Sequence, residues 1–274
     1  MDIFVPDKKS FDQAMARTTH MVIAAHQDDI EIMAYHGILE CYGSKKNWLT
    51  GVTLTSGGGS PRTGKYKNYS AEQMKKVRRD EQNKAAKLGK YGLMIQMGYE
   101  SKTVKSPRAR RPLVEELATL FAECQPEYVY THNLADKHDT HVAVALATIE
   151  ALKRLPKSLR PKKVYGCEVW RDLDWLNDEQ KVVLPVSKNS KLALKLCQIF
   201  DSQVSGGKRY DLATMGRRLA NATFFEATSV DQESHVTFAM DLTKLVHSNK
   251  KPEDFLKKYF LAFQKDVLLR LRRN

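Results

Sequence analysis

Cysteine is scarce in this 274-residue chain: Cys41, Cys124, Cys167 and Cys197 stand far apart, with no CxxC pair. That scatter argues against a disulfide framework and reads as reduced core residues in a cytoplasmic protein. Long apolar runs are missing as well. No stretch approaches the ~20 consecutive apolar residues that span a bilayer, so no membrane span is expected. The opening MDIFVPDKKS lacks the basic start and apolar middle of a secretory signal. Acid is in short supply, with 32 Asp and Glu against 45 Lys and Arg, a net charge of +13. The basic residues are dispersed, and the densest acid-free run, Ser101 to Arg111, is not interleaved with aromatics. No nucleic-acid partner is therefore expected; solvated loops are the first reading and a funnel for an anionic substrate the second. No GxSxG elbow is present, which disfavours a serine nucleophile. The glycines at 57–59 have neither GxGxxG spacing nor a P-loop lysine, so a nucleotide cradle is not expected either.

What is present alternates. Apolar, β-branched runs at Thr19–Ala25, Trp48–Ser56, Tyr91–Met97 and Pro126–His132 read as buried strands. Helical periodicity follows them at Asp28–Glu40, Ala71–Leu88 (with Gly89 as a stop), Pro112–Cys124 and His141–Leu155. Further strands are expected at Lys163–Trp170, Lys181–Ser187 and Thr223–Val230, with helices at Ser190–Asp201 and Tyr210–Asn221. A last helix, Glu253–Leu271, places Phe255, Tyr259, Phe260, Phe263 and Val267 on one face, a stripe suited to core packing or to self-association as a homo-oligomer. The pattern predicts an α/β fold of three layers, a mostly parallel, Rossmann-like sheet flanked by helices. One domain is expected over 1–274, its core at about 19–162 and residues 163–274 adding strands and helices to it.

Two stretches carry the chemistry. AAHQDDIEIM (24–33) crowds His26, Asp28, Asp29 and Glu31 where the first strand gives way to its helix. DKHDTH (136–141) sits at the equivalent place after the fourth strand. In parallel sheets the carboxyl ends of strands form the ligand crevice, so the two stretches are expected to meet. Two imidazoles and a carboxylate form the donor set of an open catalytic zinc site, and a cation would offset the repulsion among crowded carboxylates.

These residues also carry a resemblance. AHQDDIEI resembles the AHPDD signature of the PIG-L/LmbE-like zinc-dependent N-acetylglucosaminyl deacetylases, and DKHDTH resembles their DxHxDH. TLTSGGGS, RRDEQNKAAKLG, DSQV and FFEA are similar to later landmarks in the same order, so the likeness runs from about Thr19 to Val230. The resemblance implies an LmbE-like fold and a Zn²⁺ cofactor (Fe²⁺ or Mn²⁺ as alternatives) held by His26, Asp29 and His141. It implies Asp28 as general base, His138 as acid or carbonyl polariser, and Asp136 as the group orienting His138. It implies Arg78 as a sugar contact, and Glu100 is the nearest candidate for an acidic substrate contact. The implied reaction is removal of the acetyl group from an N-acetylated amino sugar or its conjugate by zinc-bound hydroxide, with protonated His138 stabilising the oxyanion. Gln27 stands where the family has proline, and Thr140 where it has aspartate. Rival readings are an amidohydrolase acting on a non-sugar amide and a non-catalytic anion or nucleic-acid binder. His20, His36, His132, His235 and His247 have no spacing partner; His132 lies near the cleft but outside the motif.

Overall fold

The computed structural model describes residues 1–273; Asn274, the end of the basic tail, lies outside the described residues. The chain begins with β1 (Asp2–Phe4), α1 (Phe11–Ala16) and β2 (His20–Ala24), followed by α2 (Asp29–Met33), α3 (Tyr35–Cys41) and β3 (Leu49–Thr55). Next come α4 (Ala71–Leu88), β4 (Leu93–Tyr99), α5 (Ser101–Lys105), α6 (Arg111–Cys124), β5 (Tyr128–His132) and α7 (Asp139–Arg154). The last part holds β6 (Lys163–Cys167), β7 (Val182–Pro185), α8 (Ser190–Gln198), α9 (Asp201–Val204) and α10 (Tyr210–Thr223). It closes with β8 (Val236–Asp241), α11 (Thr243–Val246) and α12 (Pro252–Arg273).

All eight strands form one sheet in the order β1-β4-β3-β2-β5-β6-β8-β7. The five central strands are parallel, while β1 and β8 run against their neighbours. Every residue of β2 and β3 is buried, as required of strands covered on both faces. Side chains alternate across the pleat and feed two cores. Met21 and Ile23 pack with α6 and α7 on one face, and Val22 and Ala24 pack with α2, α3 and α8 on the other. This is the expected mixed α/β architecture. No helix among the described residues is long and apolar enough to cross a membrane. The four cysteines are free and buried.

Several elements differ from the sequence reading. The helix expected over Asp28–Glu40 is broken at Ala34 (φ −119°), because Arg218 Nη2 donates to the carbonyls of Glu31 and Ile32 at 2.8 and 3.0 Å. Those carbonyls would otherwise accept from the next turn. Thr223–Val230 is not a strand: Phe224 and Val230 are each 80% exposed, and the strand at this edge is β8. The basic run after β4 contains the short helix α5, and the short β1 and α1 were not anticipated. Gly89 ends α4 at an ordinary φ of −74°; it is needed because a Cβ there would meet the Tyr91 ring at 2.5 Å. On α12 only Phe255 and Tyr259 are buried, whereas Phe260, Phe263 and Val267 remain exposed. The ring contacts of Phe260 and Phe263 are with Trp175.

Candidate active site

The chain leaves β2 outward through β3 and β4, then returns to place β5 on the other side of β2. That reversal opens a crevice at the carboxyl ends of β2 and β5. Residues 26–29 enter it from β2 and residues 132–141 from β5. Asp28 turns the chain with φ +95°, a conformation that costs a non-glycine residue ~1–3 kcal/mol and is tolerated where the surroundings over-determine it. α2 starts at Asp29, whose carboxylate Oδ2 accepts from the His26 backbone N–H at 2.7 Å.

Three atoms from three side chains converge here. His26 Nδ1 lies 3.2 Å from Asp29 Oδ2 and 3.2 Å from His141 Nε2, and His141 Nε2 lies 3.5 Å from Asp29 Oδ2. Bonds of ~2.0–2.2 Å to a tetrahedral cation imply donor-to-donor edges of about 3.3–3.6 Å, so the triangle fits a Zn²⁺-like ion. His141 Nδ1 faces Asp136 Oδ2 at 3.3 Å, which holds a proton on Nδ1 and turns the Nε2 lone pair inward. His132, which sequence reasoning set aside, stacks on His141 at 3.9 Å between ring centroids and approaches Asp29 Oδ2 to 3.5 Å. Its Nε2 accepts from Ala25 N–H at 2.9 Å, so that lone pair is already used and His132 acts as the floor beneath the donors. The signal for it was its place as the last residue of β5, level with the end of β2.

The remaining predicted residues surround this triangle. His138 opens α7, half-buried, its ring 4.5 Å from His141 and 5.1 Å from His26. Asp136 touches His138 only through the backbone, accepting its N–H at 3.0 Å; the ring it orients is that of His141. Arg78 is 2% exposed and is occupied by protein groups. Its Nη2 donates to Asp28 Oδ2 at 2.9 Å and to the Gln27 carbonyl, and its Nη1 to Glu81 and Ser202 at 3.3 and 3.2 Å. It therefore fixes Asp28, while also standing in the wall of the cavity. Glu100 stands apart at the rim, paired with Lys75 at 3.0 Å. Gln27, in place of proline, ties the turn down by donating to Thr55 O at 3.1 Å and Gln96 Oε1 at 3.2 Å. Thr140 is buried at the wall of the cavity. Glu31 points away from the triangle, accepting from Tyr91 OH at 2.7 Å and Gln82 Nε2 at 2.9 Å.

Electrostatics separate the two neighbouring aspartates. Burial pushes the Asp28 carboxyl up to about 6, against the pull of Arg78. Burial also disfavours the Asp29 anion, but the neighbouring imidazoles, His141 foremost, and the hydrogen bond from His26 outweigh it and hold that carboxyl well below its usual range. Burial, then His141 and His26, lower His138. For His141 the effect of burial is overcome by Asp29 and Asp136, and its pKa rises. The triangle is thus a seat for positive charge. Above it opens a cavity of about 920 Å³ lined by His26, Asp28, Asp29 and His138, large enough for a sugar conjugate.

A family model described as PIG-L, GlcNAc-PI de-N-acetylase, matches residues 21–152, from β2 into α7. No curated protein matches the chain. Several solved structures do. The N,N'-diacetylchitobiose deacetylase of Pyrococcus horikoshii superposes with a TM-score of 0.67 and 14% identity, over 90% of this chain and 98% of that one. The 4-carboxy-2-hydroxymuconate hydratase of Pseudomonas putida KT2440 gives 0.63 and 17%, over 82% and 96%. The zinc-inhibited form of a teicoplanin deacetylase gives 0.58 and 13%, over 82% and 97%. At such identities the likeness shows a common fold. The chain carries a PIG-L family domain across residues 21–152, built on the α/β fold of the LmbE-like deacetylases.

Proposed function

We propose that this protein is a metal-dependent N-deacetylase acting on an N-acetylated amino sugar or its conjugate. The observation that carries the reading is the convergence of His26 Nδ1, Asp29 Oδ2 and His141 Nε2 within 3.2–3.5 Å of one another beside the buried Asp28. A divalent cation, Zn²⁺ or alternatively Fe²⁺ or Mn²⁺, supplies when bound a Lewis acid for the amide carbonyl and lowers the pKa of water toward ~7. The protein's own groups do the rest. Asp28, held by Arg78 and raised to about 6, is ionised at neutral pH yet basic enough to take the proton of the attacking water. His138, its ring 4.5 Å from that of His141, serves the developing oxyanion as a hydrogen-bond donor. The proton on Asp28 then passes to the departing amine while the second water proton stays with the new carboxyl group, which balances the reaction as acetic acid plus free amine, or acetate plus ammonium once that proton has moved.

Because a hydratase shares this fold, the reaction class rests on the site alone. The deciding experiment measures metal content and acetate release from a set of N-acetylhexosamine derivatives and non-sugar acetamides. Asp28→Asn should cut turnover at least ~10²-fold with metal content unchanged, and His141→Ala should lose the metal itself. Normal metal in His141→Ala would overturn the donor set. Full acetate release by Asp28→Asn would remove Asp28 from the reaction, and release from the plain acetamides alone would replace the sugar with another amide.

A further inference from the structure

A second cavity, of about 440 Å³, shares no lining residue with the one above the donor triangle. Its floor is apolar, built from Phe11 of α1, Ile95 and Met97 of β4 and Leu120 of α6, and its rim is acidic. Glu115, Glu116 and Glu123 stand there on the solvent face of α6, all three exposed. Glu115 has Arg154 at 3.7 Å, a guanidinium that lies closer to Glu150, at 3.0 Å. Glu116 accepts from Tyr99 OH at 2.9 Å, and Glu123 makes no ion pair among the described residues. On a chain of net charge +13, an apolar groove edged by three carboxylates is the exception. Its complement is a helix with apolar side chains on one face and cations beside them.

The chain itself carries such a helix end. Residues 264–273 of α12, about 15 Å of helix, include no buried residue. Val267, Leu268 and Leu271 fall on one face of it, and Leu271 is 71% exposed. Arg270 and Arg272 flank Leu271, one on each side at ~100°, and Arg273 follows. Arg270 also reaches back one turn to Asp266 at 2.9 Å. As a whole α12 holds more Lys and Arg than Asp and Glu, so laying it against a second α12 sets like charge against like. The groove on α6 offers the opposite sign together with an apolar floor, and every copy of the chain has both halves of the contact.

We propose that two copies of this chain associate reciprocally, each laying Val267, Leu268 and Leu271 of α12 in the other's α6 groove, where the arginines of the tail meet Glu115, Glu116 and Glu123. Such an exchange uses the same two patches on both copies and closes as a two-fold dimer. One groove and one helix end per copy make a contact at the small end of specific interfaces, so the dimer is transient and α12 is open in dilute protein. Sedimentation velocity over a concentration series should show a monomer–dimer equilibrium that weakens with added salt. Glu116→Lys with Glu123→Lys in the groove, and Arg272→Glu with Arg273→Glu in the tail, should each weaken association at least tenfold. Mixing the two variants should restore it: the intact tail of the first meets the intact groove of the second, and the two reversed surfaces meet each other. Amide exchange over 264–273 should slow as wild-type concentration rises and stay fast in either variant alone. All four substituted residues are exposed, so unfolding midpoints close to the wild type separate a lost contact from a lost fold. A wild-type chain that stays monomeric at every concentration would overturn the proposal. So would a dimer that survives the groove variant, which would set α12 against some other surface, and so would a mixture of the two variants that fails to associate.

Discussion

Asp136 joins three parts of the site through two oxygens, one taking the His138 backbone N–H and the other facing both His141 Nδ1 and the Trp170 N–H. Polar residues so placed act through the geometry of others. At the opposite end of β2, His20 acts only on stability. It is buried against Tyr128, ring centroids 4.6 Å apart, and contacts Thr19 Oγ1. Burial, aided by His36 and opposed by Glu127, lowers its pKa from 6.5 to about 4. Between those values the unfolded chain binds a proton that the folded protein refuses. The stability this group confers is thus complete above pH 6.5 and is lost as pH falls toward 4. From pH 7 to 5 the loss is about 2 kcal/mol at 1.36 kcal/mol per unit. His20→Phe keeps the stack and removes the titration. In urea denaturation at the two pH values it should lose ~1–2 kcal/mol less than the wild type. His36, also lowered by burial, leaves a residual slope of the same sign. An unchanged difference between the pH values would clear His20 of any part in acid sensitivity.

At the scale of elements, the turn after β3 and the start of α2 are packed as one unit. Gly57 adopts φ +73°, and a Cβ there would fall 2.6 Å from Gln27 Oε1 and 2.9 Å from Arg78 Cβ. Gly57→Ala should therefore cost ~1–3 kcal/mol and lower turnover by displacing the guanidinium that fixes Asp28. Gly59→Ala, where a Cβ meets nothing within 4 Å, should stay within ~0.5 kcal/mol of the wild type. Equal thermal shifts in the two variants would refute this packing argument. The same unit shows what sequence can and cannot convey. β2, β3 and β5 were legible because strands buried on both faces are written as unbroken apolar runs, and the two motifs were legible because they end those strands. The break at Ala34 was not, since the pattern is continuous across it and its cause, Arg218, lies 186 residues from Ile32. Thr223–Val230 misled because Phe224 and Val230 are apolar yet exposed, and a composition rule cannot see the missing partner strand. The occupation of Arg78 was hidden in the same way, since Ser202 reaches it from 124 residues away.

Across the whole molecule, the two halves of the sheet meet at β2 and β5, where the pairing is short. β2 and β5 pair at only three positions, His20 with Tyr128, Met21 with Val129 and Val22 with Tyr130, and the ladder stops before their carboxyl ends. Beyond that point the strands are bridged by Ala25 N–H on His132 and by the donor triangle itself. A cation bound there links the β2 side of the crevice to the β5 side, and it does so in the folded state alone. At a free concentration 100 times its Kd, such an ion stabilises by about 2.7 kcal/mol. For a chain of this size that corresponds to a Tm rise of ~5 °C or more. Chelation should reverse the rise and speed amide exchange in residues 25–34 and 132–141, where the donors sit, and restoring metal should slow it again. The outer turns of α12, exposed beyond Tyr259, should exchange rapidly in both states and serve as the internal control. If chelation moves neither Tm nor exchange in those two segments, no cation joins the halves of the sheet, and the donor triangle is an ordinary hydrogen-bonded cluster of His26, Asp29 and His141.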